Sequence, residues 1–280
     1  DLKRADLKAV QTLKGTKVIA GFIIDNVGVQ MTPAGQDAAK YWGWEDGTST
    51  EALAKQKAAI QKYANAICDL IDSLGLDGFD FDFEPSYGHS GNISFNYNAN
   101  YSTAGKKIKA DNMKAFIETL GKRIGPMAET EAGRKKILAV DGEPDALPAS
   151  HAKYFNYFII QAYNNSVGYN NGHFQGMLRA YKDVLSVEEI CKKSIFVVDF
   201  ESGATTGGKA GLGQILNFAL QNPIVDGVTY RKGGVGAFRV DLEYAVTTPD
   251  VVNGIDMKPV KGLSYPWWRR AIQLMNPQIK

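Results

Sequence analysis

Three carboxylate side chains recur at every second position in residues 76–84, which read LDGFDFDFE. Because successive side chains of a β-strand point to opposite faces, a strand here would place Asp80, Asp82 and Glu84 on one face and three phenylalanines on the other. Carboxylates ~6.5–7 Å apart along one face repel each other, and burial favours their protonated forms, so some would hold a proton near neutral pH. Stability alone would favour Val, Ile or Leu at these positions, so the row indicates a functional site.

The elements around this row follow a βαβα order. Apolar runs typical of strands alternate with segments of helical periodicity, which predicts a mostly parallel sheet covered by helices. In a barrel of this kind the phenylalanines would pack under the helices, and Glu84 would lie at the carboxyl end of its strand, where barrel active sites are built. The predicted strands are 17–25, 76–84, 136–141, 157–163, 194–200 and 234–241, and the predicted helices are 6–13, 51–74, 112–125, 212–220 and 266–275.

Two other interpretations of the carboxylate row remain open from the residues alone. A strand with one solvated face would show the same alternation, although the flanking helices favour a parallel sheet covered on both sides. Carboxylates also suit Mg²⁺ or Ca²⁺, but side chains stacked along one strand do not converge easily on one ion. The following segment, 85–105, is rich in Gly, Ser, Asn and Tyr, and loops of this length are usually functional.

Residues 77–84 match the D-G-x-D-x-D-x-E signature of glycoside hydrolase family 18 at every fixed position, and the chain resembles that family. The resemblance implies an α/β fold of the TIM (β/α)8-barrel type. It also implies a retaining mechanism in which the substrate's own 2-acetamido group is the nucleophile. By this resemblance the catalytic residues are Glu84, as the acid and then the base, Asp82, which orients the acetamido group, and Asp80, which shares a proton with Asp82.

The fourth predicted strand ends in Gln161-Ala162-Tyr163-Asn164. This end resembles the Gln-x-Tyr of the family's endo-β-N-acetylglucosaminidases more than the Met-x-Tyr of its chitinases. The resemblance implies that the Tyr163 hydroxyl holds the acetamido carbonyl and that Gln161 and Asn164 bind substrate. The plainer interpretation is that Tyr163 is a strand aromatic and Gln161 a satisfied core amide.

Other residues at strand ends or in loops are candidates for sugar contacts. Asp141 and Arg239 are predicted to bind substrate by the barrel rule, although a cap or loop hydrogen bond is as good an explanation for either residue alone. Trp42 and Trp44 would either stack on sugar rings or anchor their loop.

The resemblance favours an endo-β-N-acetylglucosaminidase that hydrolyses the β-1,4 bond in the di-N-acetylchitobiose core of N-glycans. The first strand lacks the Ser-x-Gly-Gly usual in chitinases, and residues 200–212 leave no room for the extra domain that deepens many chitinase clefts. A shallow site suits a branched glycan. The alternatives are a chitinase and a non-catalytic sugar-binding protein of the same family, although such lectins commonly lack the final glutamate of the motif.

Composition limits the kinds of molecule that the protein is expected to bind. The net charge of +2 is too small to indicate nucleic acid, and no apolar run is long enough for a membrane span. We expect N-linked glycans or other N-acetylglucosamine-containing oligosaccharides as partners. The glycine-rich segment 203–210 lacks the Ser or Thr of a nucleotide-binding P-loop, because Ala210 stands at that position. Neither a metal nor another cofactor is predicted.

Organisation and location are expectations of the same kind. With no repeat or linker, residues 1–280 are predicted to form a single catalytic barrel domain and a monomer, secreted or at the periplasm or cell surface. Only six strands are predicted, so we expect that this sequence lacks the first two strands of an eight-stranded barrel and that the natural protein begins earlier. Two cysteines exclude a disulfide framework, and Cys68 is predicted to be a core residue.

Overall fold

The computed structural model describes residues 2–23, 31–85, 103–163, 172–200, 210–239, 243, 250–252, 255–257 and 265–276. The chain divides into two compact units, Asp1–Tyr157 and Phe158–Lys280. Parallel strands alternate with helices in each unit, which confirms the predicted α/β class. Among the described helices, none has the length and apolar character that crossing a membrane requires.

The first unit is built around three parallel strands in which β2 lies between β1 and β3. Its elements in chain order are α1 (Leu2–Lys14), β1 (Ile19–Ile23), α2 (Ala38–Trp42), α3 (Thr50–Leu74), β2 (Gly78–Phe83), α4 (Thr103–Arg123), α5 (Glu131–Arg134), β3 (Ile137–Gly142) and two 3₁₀ helices (Pro144–Ala146 and Ala149–Tyr154).

Helix α3 shows how local signals set the elements that flank β2. It begins at an N-cap, Ser49, whose hydroxyl accepts a hydrogen bond from the Ala52 amide, and it ends at Gly75 in the left-handed conformation that favours glycine. Its apolar positions recur at helical spacing, so one face is buried, with Ile60, Ile67 and Ile71 fully inaccessible.

The phenylalanine face of β2 forms the centre of the first unit's core. Phe79 and Phe81 are fully buried, and Phe83 nearly so. The ring of Phe81 lies 5.6 Å from both Phe116 of α4 and Phe155, measured between centroids. The predicted alternation along this strand is therefore confirmed, with the Phe81 ring packed against helix α4.

Truncating the central aromatic residue should be costly. We expect Phe81→Ala to lower the free energy of unfolding by about 3–5 kcal/mol, because it removes a buried ring and leaves a cavity among other rings. Urea denaturation followed by circular dichroism measures this. Phe238→Ala is the matched control, since Phe238 is 45% exposed and should lose much less. Equal losses in the two variants would contradict the packing described here.

The second unit also contains three parallel strands, with β5 between β4 and β8. Its elements are β4 (Tyr157–Gln161, which starts at the boundary), α6 (Gly172–Tyr181), α7 (Val187–Lys193), β5 (Ser194–Asp199), α8 (Ala210–Leu220), β6 (Ile224–Val225), β7 (Val228–Thr229), β8 (Gly234–Phe238), β9 (Asp250–Val252), β10 (Ile255–Met257) and α9 (Pro266–Met275). Strands β6 and β7 pair with each other in an antiparallel hairpin, as do β9 and β10.

Two buried ionisable side chains hold helix ends in this unit. The Lys232 ammonium donates to the carbonyl oxygens of Ala219 and Gln221 at the end of α8, and burial lowers the pKa of Lys232 to about 8. The Glu243 carboxylate accepts from the first amides of α9; burial raises its pKa to about 7, although these amide hydrogen bonds act to lower it. Both charges have the sign that the helix dipole favours at that end.

The six predicted strands are all present, most of them shorter than predicted, and several other elements were missed. Helix α4 begins at Thr103, so the predicted loop 85–105 ends earlier; residues 86–102 lie outside the described residues. The strands of the β6–β7 hairpin are two residues long, below the length at which periodicity is informative. Helix α7 had a usable signal, the reciprocal capping box of Ser186 and Glu189. Cys68 is buried, as predicted, and so is Cys191.

Candidate active site

The carboxylate face of β2 is the candidate site of the first unit. Asp80 and Asp82 lie within the strand and Glu84 directly follows it, and all three residues are partly exposed, in contrast to the buried phenylalanines between them. The structure thus places the three predicted catalytic residues in one row on one face. Among the described residues, no group of three or more His, Cys, Asp or Glu side chains is arranged to hold a metal ion.

Asp80 has the most unusual environment of the three. On the neighbouring strands it is paired with Gly21 and Ala139. These two residues have no side chain or only a methyl group, so neither offers the Asp80 carboxylate a polar partner. Its Oδ1 atom is buried and has no hydrogen-bond partner among the described residues. Burial, together with the nearby charge of Asp82, raises the pKa of Asp80 to about 7. A proton on Asp80 near neutral pH is therefore expected from its position.

Asp82 lies one step nearer to the carboxyl end of the strand. Its partners across the sheet are Ile23 on β1 and Asp141 on β3. Adjacent strands are about 4.8 Å apart, so the structure brings Asp141, a predicted substrate-binding residue, beside Asp82. The Oδ1 atom of Asp141 accepts a hydrogen bond from the Gly142 amide (2.6 Å). This bond is the local interaction that the sequence left open as an alternative.

Glu84 leaves the strand at a point where β2 and β3 are held together beyond their last paired residues. Phe83 is paired with Gly142, and the Phe83 carbonyl oxygen accepts from the Glu143 amide (2.8 Å). The backbone of Phe83, from which Glu84 continues, is therefore fixed by the neighbouring strand.

The second unit carries the other predicted site residues. Gln161 ends β4, Tyr163 lies in the turn after it, and the Ala162 amide donates to Val197 O (2.9 Å). The Tyr163 ring lies 6.4 Å from the ring of Phe238, the last residue of β8, and Arg239 follows as an exposed residue. Within this unit the structure therefore brings Tyr163 near the end of β8. Asn164 lies outside the described residues.

The two tryptophans considered for sugar stacking are core residues. Trp42 is 5% exposed, its indole nitrogen donates to the Thr32 hydroxyl (3.0 Å), and its ring packs on Tyr63. Trp44 is also buried, and its indole nitrogen donates to Asp46 (3.0 Å). The stacking interpretation is therefore wrong for both, because rings enclosed by protein have no face left for a sugar.

The first two residues of the signature have roles that the sequence did not reveal. The Asp77 carboxylate accepts from the Val18 amide (2.9 Å), from Gln11 (2.7 Å) and from Lys17 (3.1 Å). Partial burial acts to raise the pKa of Asp77, but these hydrogen bonds outweigh it and lower the pKa below its usual range. A Cβ at position 78 would lie 2.1 Å from Ile137 O, so the strands can approach only because Gly78 has none. Asp77 and Gly78 therefore fix the start of β2, the strand that carries the carboxylate row.

Comparisons with known proteins identify the family of this chain. The model of glycoside hydrolase family 18, BT1044-like, matches residues 1–251. Among solved structures, a selenomethionine-labelled glutamate-to-glutamine variant of BT1044 is 31% identical, with a TM-score of 0.69 over 99% of this chain and 76% of that one. An endo-β-N-acetylglucosaminidase from Cordyceps militaris, in apo form, is similar in fold at 19% identity, with a TM-score of 0.54 over 94% of this chain and 71% of that one. The curated proteins include no match. The fold is of the TIM-barrel type found in these relatives, and the chain belongs to glycoside hydrolase family 18.

Proposed function

We propose that this glycoside hydrolase is an endo-β-N-acetylglucosaminidase that cuts the β-1,4 bond in the di-N-acetylchitobiose core of N-glycans, with retention of configuration. The observation that carries the proposal is the row of Asp80, Asp82 and Glu84 on one face of β2, with the Oδ1 atom of Asp80 buried at its inner end. A protein gains no stability from such a row, because buried carboxylates repel each other and lose hydration.

In the first step of the proposed reaction, Glu84 gives its proton to the glycosidic oxygen while the bond from that oxygen to C1 breaks. The carbonyl oxygen of the substrate's 2-acetamido group forms a new bond to C1, which produces a cyclic oxazolinium ion. In the second step Glu84 takes a proton from water as the water oxygen bonds to C1, and the bond from C1 to the acetamido oxygen breaks, which restores the acetamido group. The two displacements together retain the configuration, and Glu84 ends the cycle protonated.

Asp82 and Asp80 are proposed to act on the acetamido group. Asp82 would accept the N–H of that group, which turns its carbonyl oxygen towards C1 and stabilises the positive charge that develops on it. Asp80, with its raised pKa, would hold the proton that the pair shares and release Asp82 to carry the negative charge. Positioning a nucleophile in this way is worth several kcal/mol in intramolecular reactions.

The choice of an endo-glycosidase over a chitinase rests on the end of β4. Gln161 and Tyr163 stand where the family's endo-β-N-acetylglucosaminidases tend to carry Gln-x-Tyr. We propose that the Tyr163 hydroxyl donates to the acetamido carbonyl, and that Gln161, Asn164, Asp141 and Arg239 contact the sugars. The presence of Glu84 argues against a purely sugar-binding protein, which would not need a proton donor.

Mass spectrometry of an N-glycosylated protein after incubation with this chain tests the proposal. We expect each glycan to be lost with one N-acetylglucosamine left on its asparagine. A parallel incubation with chitin oligomers separates the alternatives, since release of chitobiose without loss of the glycan would identify a chitinase. Binding of either substrate without any cleavage would indicate a sugar-binding protein.

Location and oligomeric state are part of the same proposal. N-linked glycans are displayed on extracellular proteins, so we propose a secreted, periplasmic or cell-surface enzyme that acts as a monomer. Cell fractionation and light scattering on the purified chain test these two points.

A further inference from the structure

We propose that Gly142 is a positioning residue for Glu84, and that the absence of a side chain at this position sets the direction in which the carboxyl group leaves β2. The inference rests on the proposed role of Glu84 as the catalytic acid. Gly142 is the last residue of β3 and the partner of Phe83, the last residue of β2. It is buried and lies outside the sequence signature of the family.

The space at Gly142 is already filled by the backbone that carries Glu84. A Cβ at position 142 would lie 2.4 Å from the carbonyl oxygen of Phe83, 3.0 Å from its carbonyl carbon and 3.1 Å from Cγ of Glu84. The φ angle of Gly142 is +98°, which L side chains rarely adopt. Close approach and backbone conformation therefore independently require glycine here.

A displacement at this point would pass directly to Glu84. The carbonyl carbon of Phe83 is bonded to the Glu84 nitrogen, so moving that carbonyl turns the peptide plane from which Glu84 starts. The same carbonyl accepts the Glu143 amide (2.8 Å), and the Gly142 amide donates to Asp141 (2.6 Å). The bond from the Glu143 amide to the Phe83 carbonyl oxygen holds the turn after β3 against the end of β2.

A displaced Glu84 carboxyl would impair protonation of the leaving group, but it would not affect the attack by the substrate's acetamido group. A misplacement of about 1 Å can cost about 100-fold in rate. Glu84 is needed most when the leaving group is a sugar hydroxyl, which must be protonated as it departs. A 2,4-dinitrophenolate leaves without a proton, so its release does not depend on where the Glu84 carboxyl lies. The ratio of the two rates therefore reports the position of the acid.

The test compares Gly142→Ala with Gly125→Ala and Glu84→Gln. Gly125 is a matched control, because its φ is +90° and a Cβ there would lie 2.9 Å from Leu138 Cβ and 3.0 Å from Tyr154 O. It lies beside the beginning of β3, whereas Gly142 ends that strand. For each folded variant kcat/KM is measured on the glycan and on the 2,4-dinitrophenyl glycoside of the same glycan.

We expect Gly142→Ala to lose about 100-fold in kcat/KM on the glycan and less than about 5-fold on the dinitrophenyl glycoside. Gly125→Ala should lose stability but keep both rates per folded molecule. If Gly142→Ala lowers both rates equally, or behaves like Gly125→Ala, the positioning role is wrong. If Glu84→Gln cleaves the glycan normally, the proposed function itself fails. Should Gly142→Ala not fold, Gly142→Asn carries the same Cβ and tolerates positive φ better.

Discussion

Replacing Glu84 with glutamine is expected to lower kcat on an N-glycan substrate by about 10²–10⁴-fold, the usual contribution of a general acid–base. Glutamine has nearly the same shape but can neither give a proton to the leaving oxygen nor take one from water. Substrate binding should survive, because the side chain still fills its place beside Gly142. Glycan release measured by chromatography gives the rate, and calorimetry with the intact glycan gives the affinity.

The control for this variant is Glu129→Gln, which removes a carboxylate from an exposed position of the same unit. It should match the parent chain in rate, affinity and melting temperature. A Glu84→Gln variant that keeps more than a tenth of the parent kcat would show that the acid lies elsewhere. Loss of both binding and the folded melting transition would instead show that Glu84 supports the structure.

Replacing Asp80 with asparagine should have two effects of opposite sign. The rate should fall by about 10²-fold or more, because Asp80 can no longer share a proton with Asp82. The stability at neutral pH should rise, because asparagine never carries the charge that burial penalises. We expect Tm at pH 8 to rise by at least about 2–4 °C, the shift that a change of about 1 kcal/mol in the free energy of unfolding produces in a large domain.

The pH dependence distinguishes this explanation from simple repacking. The pKa of Asp80 is raised in the folded state, so between its unfolded value of about 4 and its folded value the folded protein binds more protons than the unfolded chain. The parent chain must therefore lose stability as the pH rises through that window. Below the window Asp80 is neutral in both states, and the advantage of Asp80→Asn should vanish.

Asp77→Asn is the control of opposite sign, within the same strand signature. The pKa of Asp77 is lowered in the folded state, so its contribution to stability is present above about pH 4 and is lost as the pH falls through the folded value. We expect Asp77→Asn to lower Tm at pH 8 and to approach the parent chain in acid. Melting curves from pH 3 to pH 8 on both variants test the pair. Shifts of the same sign would contradict the electrostatic origin of either.

Much of the carboxylate row could be predicted because it depends on the period of a β-strand. Alternation of side chains along β2 follows from backbone geometry, so three phenylalanines and three acids had to separate onto two faces. The phenylalanines at 79, 81 and 83 then identify the buried face by hydrophobicity alone. The strand itself and the location of the carboxylate row on it were therefore contained in a stretch of eight residues. Helix ends, such as the one at Gly75, were similarly local.

Other features depended on atoms that are distant in the sequence. The Asp77 carboxylate accepts hydrogen bonds from Gln11, Lys17 and the Val18 amide, about sixty residues away. No local pattern in the sequence predicts those partners. From the sequence Trp42 could have stacked on a sugar, but its ring is buried and packs on Tyr63.

The sequence by itself determined which residues can do chemistry here, because side-chain type and strand period are local properties. Only the tertiary structure decided how those residues are tuned. Burial between β1 and β3, together with the nearby charge of Asp82, raises the pKa of Asp80 to about 7. The sequence does not distinguish Gly142 from other glycines, because its close approach to Phe83 exists only when β3 pairs with β2. Burial, register and close approach depend on pairs of segments, so they arise only when those segments meet.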